Sequence, residues 1–444
     1  MTVADPPMDR EKQHILITGG CGFLGRHIVS AFVSQHPSHE YTVVDVGLAS
    51  SHPGCSNVRY IQVDIRDREA VRRILTATRP TAVVHSAGIV PAGASRYSQR
   101  DRKRVFEVNV DGTRNVLNAA RECGSVTAFV YTSSSTVLGD DLSRQVPNAS
   151  EQFEDARKKR WIYGESKVIT ILTPFMTPGS AAMLMFPLQT HAENLVLAAN
   201  SPSTPRPFLT TALRPSVLFG PGDTNLLPPI HALIATRVAT TVTLGSGFNL
   251  YDVTYVTNAA DAHVLAVHNL FLAAAIPSTP LSPALSDYHD DGAPPSAAGL
   301  PIFITNASPV PFRDFCRAVW ARFDHHPPFE VRVPVPVARA LGSLADTVSW
   351  VLSGGGLWRS PHFSLSRGAV EDAVGVRYAS GKRARHVLGY IPRIGLTEGL
   401  DLACEVSRFV FPASFPCFQG RRNGVREDGK LRFWFILRWE TSLS

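Results

Sequence analysis

The sequence is short of charge and of any cysteine pattern. Only 18% of its 444 residues are Asp, Glu, Lys or Arg, while 44% are hydrophobic, a balance that belongs to globular rather than disordered chains. The net charge is +7, and residues 406–444 contribute +4 of it, seven basic residues against three acids. The remaining body is nearly neutral, which speaks against a nucleic-acid-binding core. The six cysteines, at 21, 55, 123, 316, 404 and 417, show no CxxC or other metal spacing, so a reduced intracellular protein is expected. Residues 1–13 are polar and charged and contain no signal-peptide apolar core. No His/Cys/Asp cluster suggests a metal, and no internal repeat is evident. A chain of 444 residues buries a sizeable core in one large domain or two.

What is present begins at residue 14. His14–Thr18 reads as a short buried strand, Gly19-Gly20-Cys21-Gly22-Phe23-Leu24-Gly25 as a glycine turn, and residues 26–33 as a helix. Strand, glycine turn and helix form the context of a dinucleotide fingerprint, in which the helix N-terminus offers free N–H groups to a pyrophosphate. The spacing of Gly19, Gly22 and Gly25 is GxxGxxG rather than GxGxxG, and a plain glycine loop would also fit it. A second strand ends on Asp45, 20 residues after Gly25. A carboxylate there accepts hydrogen bonds from ribose hydroxyls and repels a 2′-phosphate, favouring NAD over NADP; a turn residue is the alternative. Further strands are expected at 58–65, ending in Asp64-Ile65, at 82–88, running into Ser86-Ala87-Gly88, and at 128–135, ending in hydroxyls. A helix is expected to open at 108–113, with Asn109 in its first turn. Strands alternating with helices predict a Rossmann-like, doubly wound parallel α/β sheet with ligands at the carboxyl ends of its strands.

Tyr163-Gly164-Glu165-Ser166-Lys167 places a phenol and an amine four residues apart. On a helix they share one face. A neighbouring ammonium favours the phenolate, so such a tyrosine can take a proton from an alcohol near neutral pH. A solvated helix face would show the same spacing, but here a nucleotide signature and a serine cluster lie upstream.

Together TGGCGFLG, HSAG, VNVDGTRNVL, YTSSS, LRPSVLFGPGD and YVTNAADAH resemble the extended short-chain dehydrogenase/reductase family, in its 3β-hydroxysteroid dehydrogenase branch. FITN, PFRDF, LGYIP and EGL are similar to the fungal sterol-4-alpha-carboxylate 3-dehydrogenases, and the resemblance runs from about residue 14 to 405. It implies Tyr163 as catalytic base, Lys167 as its partner and Ser134 as the third member. It sets Gly19, Gly22, Phe23, Leu24, Gly25, Asp45, Asp64, Ile65, Ser86, Ala87, Asn109, Tyr163, Lys167 and Pro215 against the cofactor. The implied reaction is NAD-dependent oxidation of a sterol 3β-hydroxyl beside a C4 carboxylate, with loss of carbon dioxide and no metal. The implied setting is the cytoplasm or the cytosolic face of the endoplasmic reticulum, with peripheral membrane contact and a homodimer left open. A ketoreductase or alcohol dehydrogenase acting on a terpenoid or polyketide is the alternative enzyme, ahead of a nucleotide-sugar epimerase.

The chain leaves this pattern at 168–189, a 22-residue stretch with three prolines and a glycine that cannot continue the Tyr163 helix. Joining Lys167 to Thr190 gives YGESKTHAENLVLAAN, an unbroken helical pattern. The stretch begins with Val, whose codons start GT, and ends with Gln, which CAG encodes, so an unspliced in-frame intron is expected. A translated insertion should displace Lys167 and leave a catalytically dead NAD-binding protein. The expected organisation is an extension at 1–13, an NAD-binding domain at 14–212, an interleaved substrate region at 213–405 and a basic aromatic tail at 406–444. Residues 277–299 read as a surface loop. Residues 331–358 read as a helix lining the substrate pocket or resting on a membrane.

Overall fold

A computed structural model describes residues 12–48, 55–91, 101–138, 145–152, 162–167, 192–275, 295–352 and 366–410. Seven strands form its main sheet: β1 (His14–Thr18), β2 (Glu40–Asp45), β3 (Val58–Gln62), β4 (Ala82–His85), β5 (Ala128–Thr132), β6 (Leu209–Pro215) and β7 (Pro301–Ile304). Their order is β7-β6-β5-β4-β1-β2-β3 and every pairing is parallel. The order reverses between β1 and β4, which opens a crevice at the carboxyl ends of those strands.

The helices that flank this sheet include α1 (Phe23–Gln35), α2 (Arg68–Thr78), α3 (Thr113–Glu122), α4 (Ile162–Lys167), α5 (Ala192–Ala198) and α6 (Val256–Ala275). Strand alternation divides the core in two. Ile15 and Ile17 pack with Ile28, Phe32, Ala260 and Val264 of α1 and α6. Leu16, between them, packs on the other face with Val71, Leu75, Val116 and Val196 of α2, α3 and α5. Both faces are dry, so the strands read as continuous apolar runs. Fully burying such a side chain stabilises the fold by about 1.5–3 kcal/mol.

The C-terminal region is built differently. Leu250–Tyr251 joins Val310–Pro311, Arg377–Ala379 and, through the last, Val146–Ala149 in a small mixed sheet. Val217–Phe219 pairs with Val253–Tyr255, and Val242–Leu244 with Val331–Val333. A third core gathers Phe219, Tyr255, Phe315, Trp320 and Leu400. The chain therefore crosses between regions several times.

Helix α7 (Val335–Leu352) packs on α8 (Arg367–Val374), Gly342 lying close against the Arg367 backbone. Its two charged residues are tied to α8: Arg339 pairs with Glu371 at 2.9 Å, and Asp346 accepts from the Arg367 N–H at 3.0 Å. Its apolar residues turn outward: Val337, Leu341, Leu344, Val348 and Val351 are 45–62% exposed. Among the described residues no helix is long and apolar enough to cross a membrane.

Several expected elements differ in extent. The third strand stops at Gln62 rather than Ile65, because the Asp64 carboxylate accepts from the Arg66 backbone and turns the chain. The fifth stops at Thr132, leaving its serines in a loop and a 3-10 turn. Residues 107–112 form a π-helical segment before α3. Leu213–Phe219, the first part of the LRPSVLFGPGD motif, is almost entirely strand, and the stretch from Gly220 to Asp223 turns. Residues 168–189, most of 277–299 and most of the tail lie outside the described residues.

Candidate active site

The glycine turn leaves β1 at Gly19, whose φ of +71° is left-handed and whose missing Cβ would stand 2.6 Å from Ala87 Cα. A Cβ on Gly25 would stand 1.9 Å from the Gly19 carbonyl oxygen, so α1 can press this closely on the turn only with glycine there. Gly22 opens α1 with no side-chain cap, leaving the first N–H groups and the positive dipole end to a ligand. Phe23 and Leu24 are half-buried in that first turn.

Asp45 ends β2 and closes the turn: one carboxylate oxygen accepts from the Cys21 N–H at 3.0 Å, the other from the Gly47 N–H at 3.3 Å. A carboxylate offers about four acceptor positions, so room remains for ribose hydroxyls. The turn role and the ribose role are thus compatible. Asp64 is paired with Arg66 at 2.6 Å, and that guanidinium holds its carboxyl below the usual range. Ile65 is buried against Gly112. Ser86 and Ala87 follow β4, their N–H groups donating to the Thr18 carbonyl at 3.2 Å and its hydroxyl at 3.3 Å. Asn109, buried in the π-helical segment, accepts from the Ile89 N–H at 2.7 Å and donates to the Ile89 carbonyl and to Ser166 Oγ, each at 3.0 Å. Pro215 is buried at the end of β6.

Lys167 closes α4. It is not displaced from that helix, in contrast to what a translated insertion was expected to do. Its Nζ donates to Tyr131 Oη at 3.1 Å and to the Thr132 carbonyl at 3.0 Å, and lies 5.9 Å from the centre of the Tyr163 ring. Burial draws its pKa down to about 8, with Glu193 acting in the opposite sense. Two phenols therefore neighbour one amine. Tyr131 is fully buried, and burial first, then Tyr163 and Glu193, pushes its pKa far up. It stays a phenol. Tyr163 is half-buried, so of the two phenols it is the more open to solvent. His85, stacked on Tyr131, is pulled down to about 3 by burial and stays neutral at physiological pH.

The serines after β5 divide their tasks. Ser133 is buried and bonded to Glu193. Ser134 is half-buried, its Oγ accepting from the Thr136 N–H at 3.3 Å. Sequence reasoning missed Tyr131, Glu193 and Arg214 as parts of this neighbourhood. Arg214 lies within the quoted LRP motif, and its pairing with Glu193 at 2.5 Å is a tertiary contact across 21 positions. Among the described residues no group of three or more His, Cys, Asp or Glu is placed to hold a metal ion.

Residues 16–171 and 182–335 match the 3-beta hydroxysteroid dehydrogenase/isomerase family. The chain belongs to this family. The match passes over 172–181, inside the stretch that interrupts the Tyr163 helix. The family relatives include the decarboxylating sterol-4-alpha-carboxylate 3-dehydrogenase of Saccharomyces cerevisiae, 30% identical over 87% of this chain and 95% of its own. The Homo sapiens enzyme of the same name is 26% identical over 88% of this chain and 87% of its own. Among solved structures, a UDP-glucose-4-epimerase from Stenotrophomonas maltophila with bound NAD shares the fold with a TM-score of 0.59, at 18% identity over 90% of this chain and 98% of that one. At that identity the likeness speaks for the fold alone. The family is one of oxidoreductases, so an enzyme acting on a hydroxyl is the class to which the site belongs.

Proposed function

We propose that this protein oxidises the 3β-hydroxyl of a 4α-carboxysterol with NAD as acceptor, and that the resulting β-keto acid loses its carboxyl group as carbon dioxide. The observation that carries the reading is the pairing, at the carboxyl end of the sheet, of half-buried Tyr163 with buried Lys167, in a chain whose relatives bear that enzyme's name. The glycine turn, with room for no Cβ at Gly19 or Gly25, and the uncapped start of α1 fit a dinucleotide. The bound nicotinamide supplies the hydride acceptor.

The chain's own residues do the rest. Tyr163 removes the hydroxyl proton, and Ser134 orients that oxygen. Lys167 places positive charge beside the phenol and favours its ionised form. Asp45, facing the ribose, favours NAD over NADP. Residues 14–212 carry the cofactor and 213–405 most of the substrate contacts. Residues 168–189 are an unspliced intron: the family match breaks within them, and both flanking helices sit against the same π-helical segment. A cDNA retaining all 22 codons would sink that reading.

The outward apolar face of α7 supports peripheral contact with a bilayer, the phase in which a sterol resides. A helix whose charges are tied to the protein and whose Val and Leu residues are exposed is suited to lie at a lipid interface.

The deciding assay is NADH formation with a 4α-carboxysterol, using the chain as given beside a version lacking 168–189. Turnover only in the shortened form supports both the sterol and the intron readings. Turnover in both keeps the enzyme and discards the intron argument. No turnover in either, with NAD bound, points to another alcohol or to an inactive NAD-binding protein.

A further inference from the structure

We infer that Glu193 is a positioning residue of this site: from α5 it pins the strand ends that carry Ser134 and Pro215 and sets a negative charge behind the ammonium of Lys167. The inference rests on the dehydrogenase reading above.

Glu193 is 1% exposed, and both of its oxygens are engaged. One accepts from Ser133 Oγ and from Arg214 Nε, the latter at 3.1 Å; the other accepts from Arg214 Nη2 at 2.5 Å. Ser133 immediately precedes Ser134, and Arg214 immediately precedes Pro215. The Ser133 N–H also donates to the Leu213 carbonyl at 2.7 Å. One carboxylate thus ties the last residues of β5 and β6 to each other and to a helix. Arg214, 5.2 Å from the Phe303 ring centre, is itself packed on β7. A buried carboxylate so bonded is held in a single geometry, and so are the two site residues next to its partners.

The titratable groups facing Lys167 come from four elements: Tyr131 on β5, Tyr163 on its own helix, His85 on β4 and Glu193 on α5. Glu165, also on α4, is turned to Arg102, whose Nη2 donates to it at 2.6 Å. Of these facing groups only Glu193 is an acid, and it acts on the ammonium in the sense opposite to burial. The sequence agrees independently. With 168–189 left out, Glu193 falls four positions after Lys167 (193 − 189 = 4), so Tyr163, Lys167 and Glu193 would recur at i, i+4 and i+8 along one helix face.

The test is Glu193→Gln, read in two ways: by titration in the full chain, and by turnover in whichever of the full chain and the version lacking 168–189 oxidises the sterol. In the NAD-free protein, NMR of ¹³C-labelled lysine follows the Lys167 titration. The midpoint should fall by at least ~1 pH unit, since removing an opposite charge disfavours the charged form. With NAD and a 4α-carboxysterol, the acid limb of kcat/KM should move upward. Turnover at pH 7 should drop roughly tenfold, while the Kd for NAD stays within about threefold, as expected when an acid–base group loses its tuning. An unmoved Lys167 midpoint with a parallel pH profile, and only a lower melting temperature, would overturn the assignment. The NMR readout needs no substrate: a shifted midpoint in a protein inert towards the sterol keeps Glu193 and rejects the substrate. Ser133→Ala decides the positioning part if Glu193→Gln does not fold. It keeps the charge, so kcat should fall with the Lys167 midpoint unmoved, and unchanged kcat and KM would overturn the tie to Ser134.

Discussion

The main sheet and helix α7 differ in which side chains they turn to the outside. Around β1–β7 apolar side chains are buried on both faces, and the buried charges, Glu193 with Arg214 and Lys167 against its hydrogen-bond acceptors, are compensated by partners. On α7 the two charged residues are tied to α8, while Val337, Leu341, Leu344, Val348 and Val351 are exposed. The first pattern is self-sufficient in water. The second is at rest only against an apolar neighbour. The first pattern suits the proposed hold on a polar cofactor, and the second is the basis of the proposed contact with a bilayer.

Substitutions break or sharpen this contrast, beginning with the largest effect. Tyr163→Phe should lower turnover by about 10²–10⁴-fold while leaving the fold and NAD affinity intact, as steady-state rates and cofactor titration would show. Glu193→Ala strands a buried guanidinium and should cost about 3–5 kcal/mol of stability in urea unfolding. Gly25→Ala forces a methyl into the Gly19 carbonyl and should cost about 1–3 kcal/mol with a matching loss of NAD affinity by calorimetry.

Lys167 tests the polar half through pH. Its pKa is drawn from 10.5 down to about 8 in the folded chain. Between those values the unfolded chain binds the extra proton, so stability rises with pH across that window. Compared with Lys167→Met, the parent should therefore gain about 2–3 kcal/mol between pH 8 and pH 10.5 in chemical denaturation. A flat difference would show that the ammonium is better solvated than its surroundings allow. The smallest effect on stability belongs to the apolar face. Leu341→Glu with Leu344→Glu should change stability by no more than ~0.5 kcal/mol per site, yet reduce flotation with lipid vesicles. Undiminished flotation would move the membrane contact elsewhere.

Legibility followed the same division. β1, the glycine turn and α1 could be read because a short continuous apolar run, a glycine cluster and a helical stretch follow one another directly in the sequence. The π-helical segment was not legible, since Asn109 is held there by Ile89 and Ser166, residues remote in sequence. Glu193 was hidden because residues 168–189 mask its place one turn beyond Lys167. Strand β6 was not singled out in the sequence: its Arg214 is a buried charge, and Glu193, contributed by another element, makes that burial tolerable. The exposed face of α7 could be foreseen as a surface helix, but the ties of Arg339 and Asp346 depended on Glu371 and on the Arg367 backbone.

Asp45 carries a consequence for redesign. Its carboxylate latches the Cys21 and Gly47 N–H groups. Under the proposed NAD-dependent reading, cofactor preference and loop shape are written in one side chain. Swapping it for a small neutral residue to admit a 2′-phosphate would also unfasten the turn that receives the pyrophosphate. A change of dinucleotide in this protein calls for at least two coordinated substitutions, one to admit the new phosphate and another to rebuild the latch.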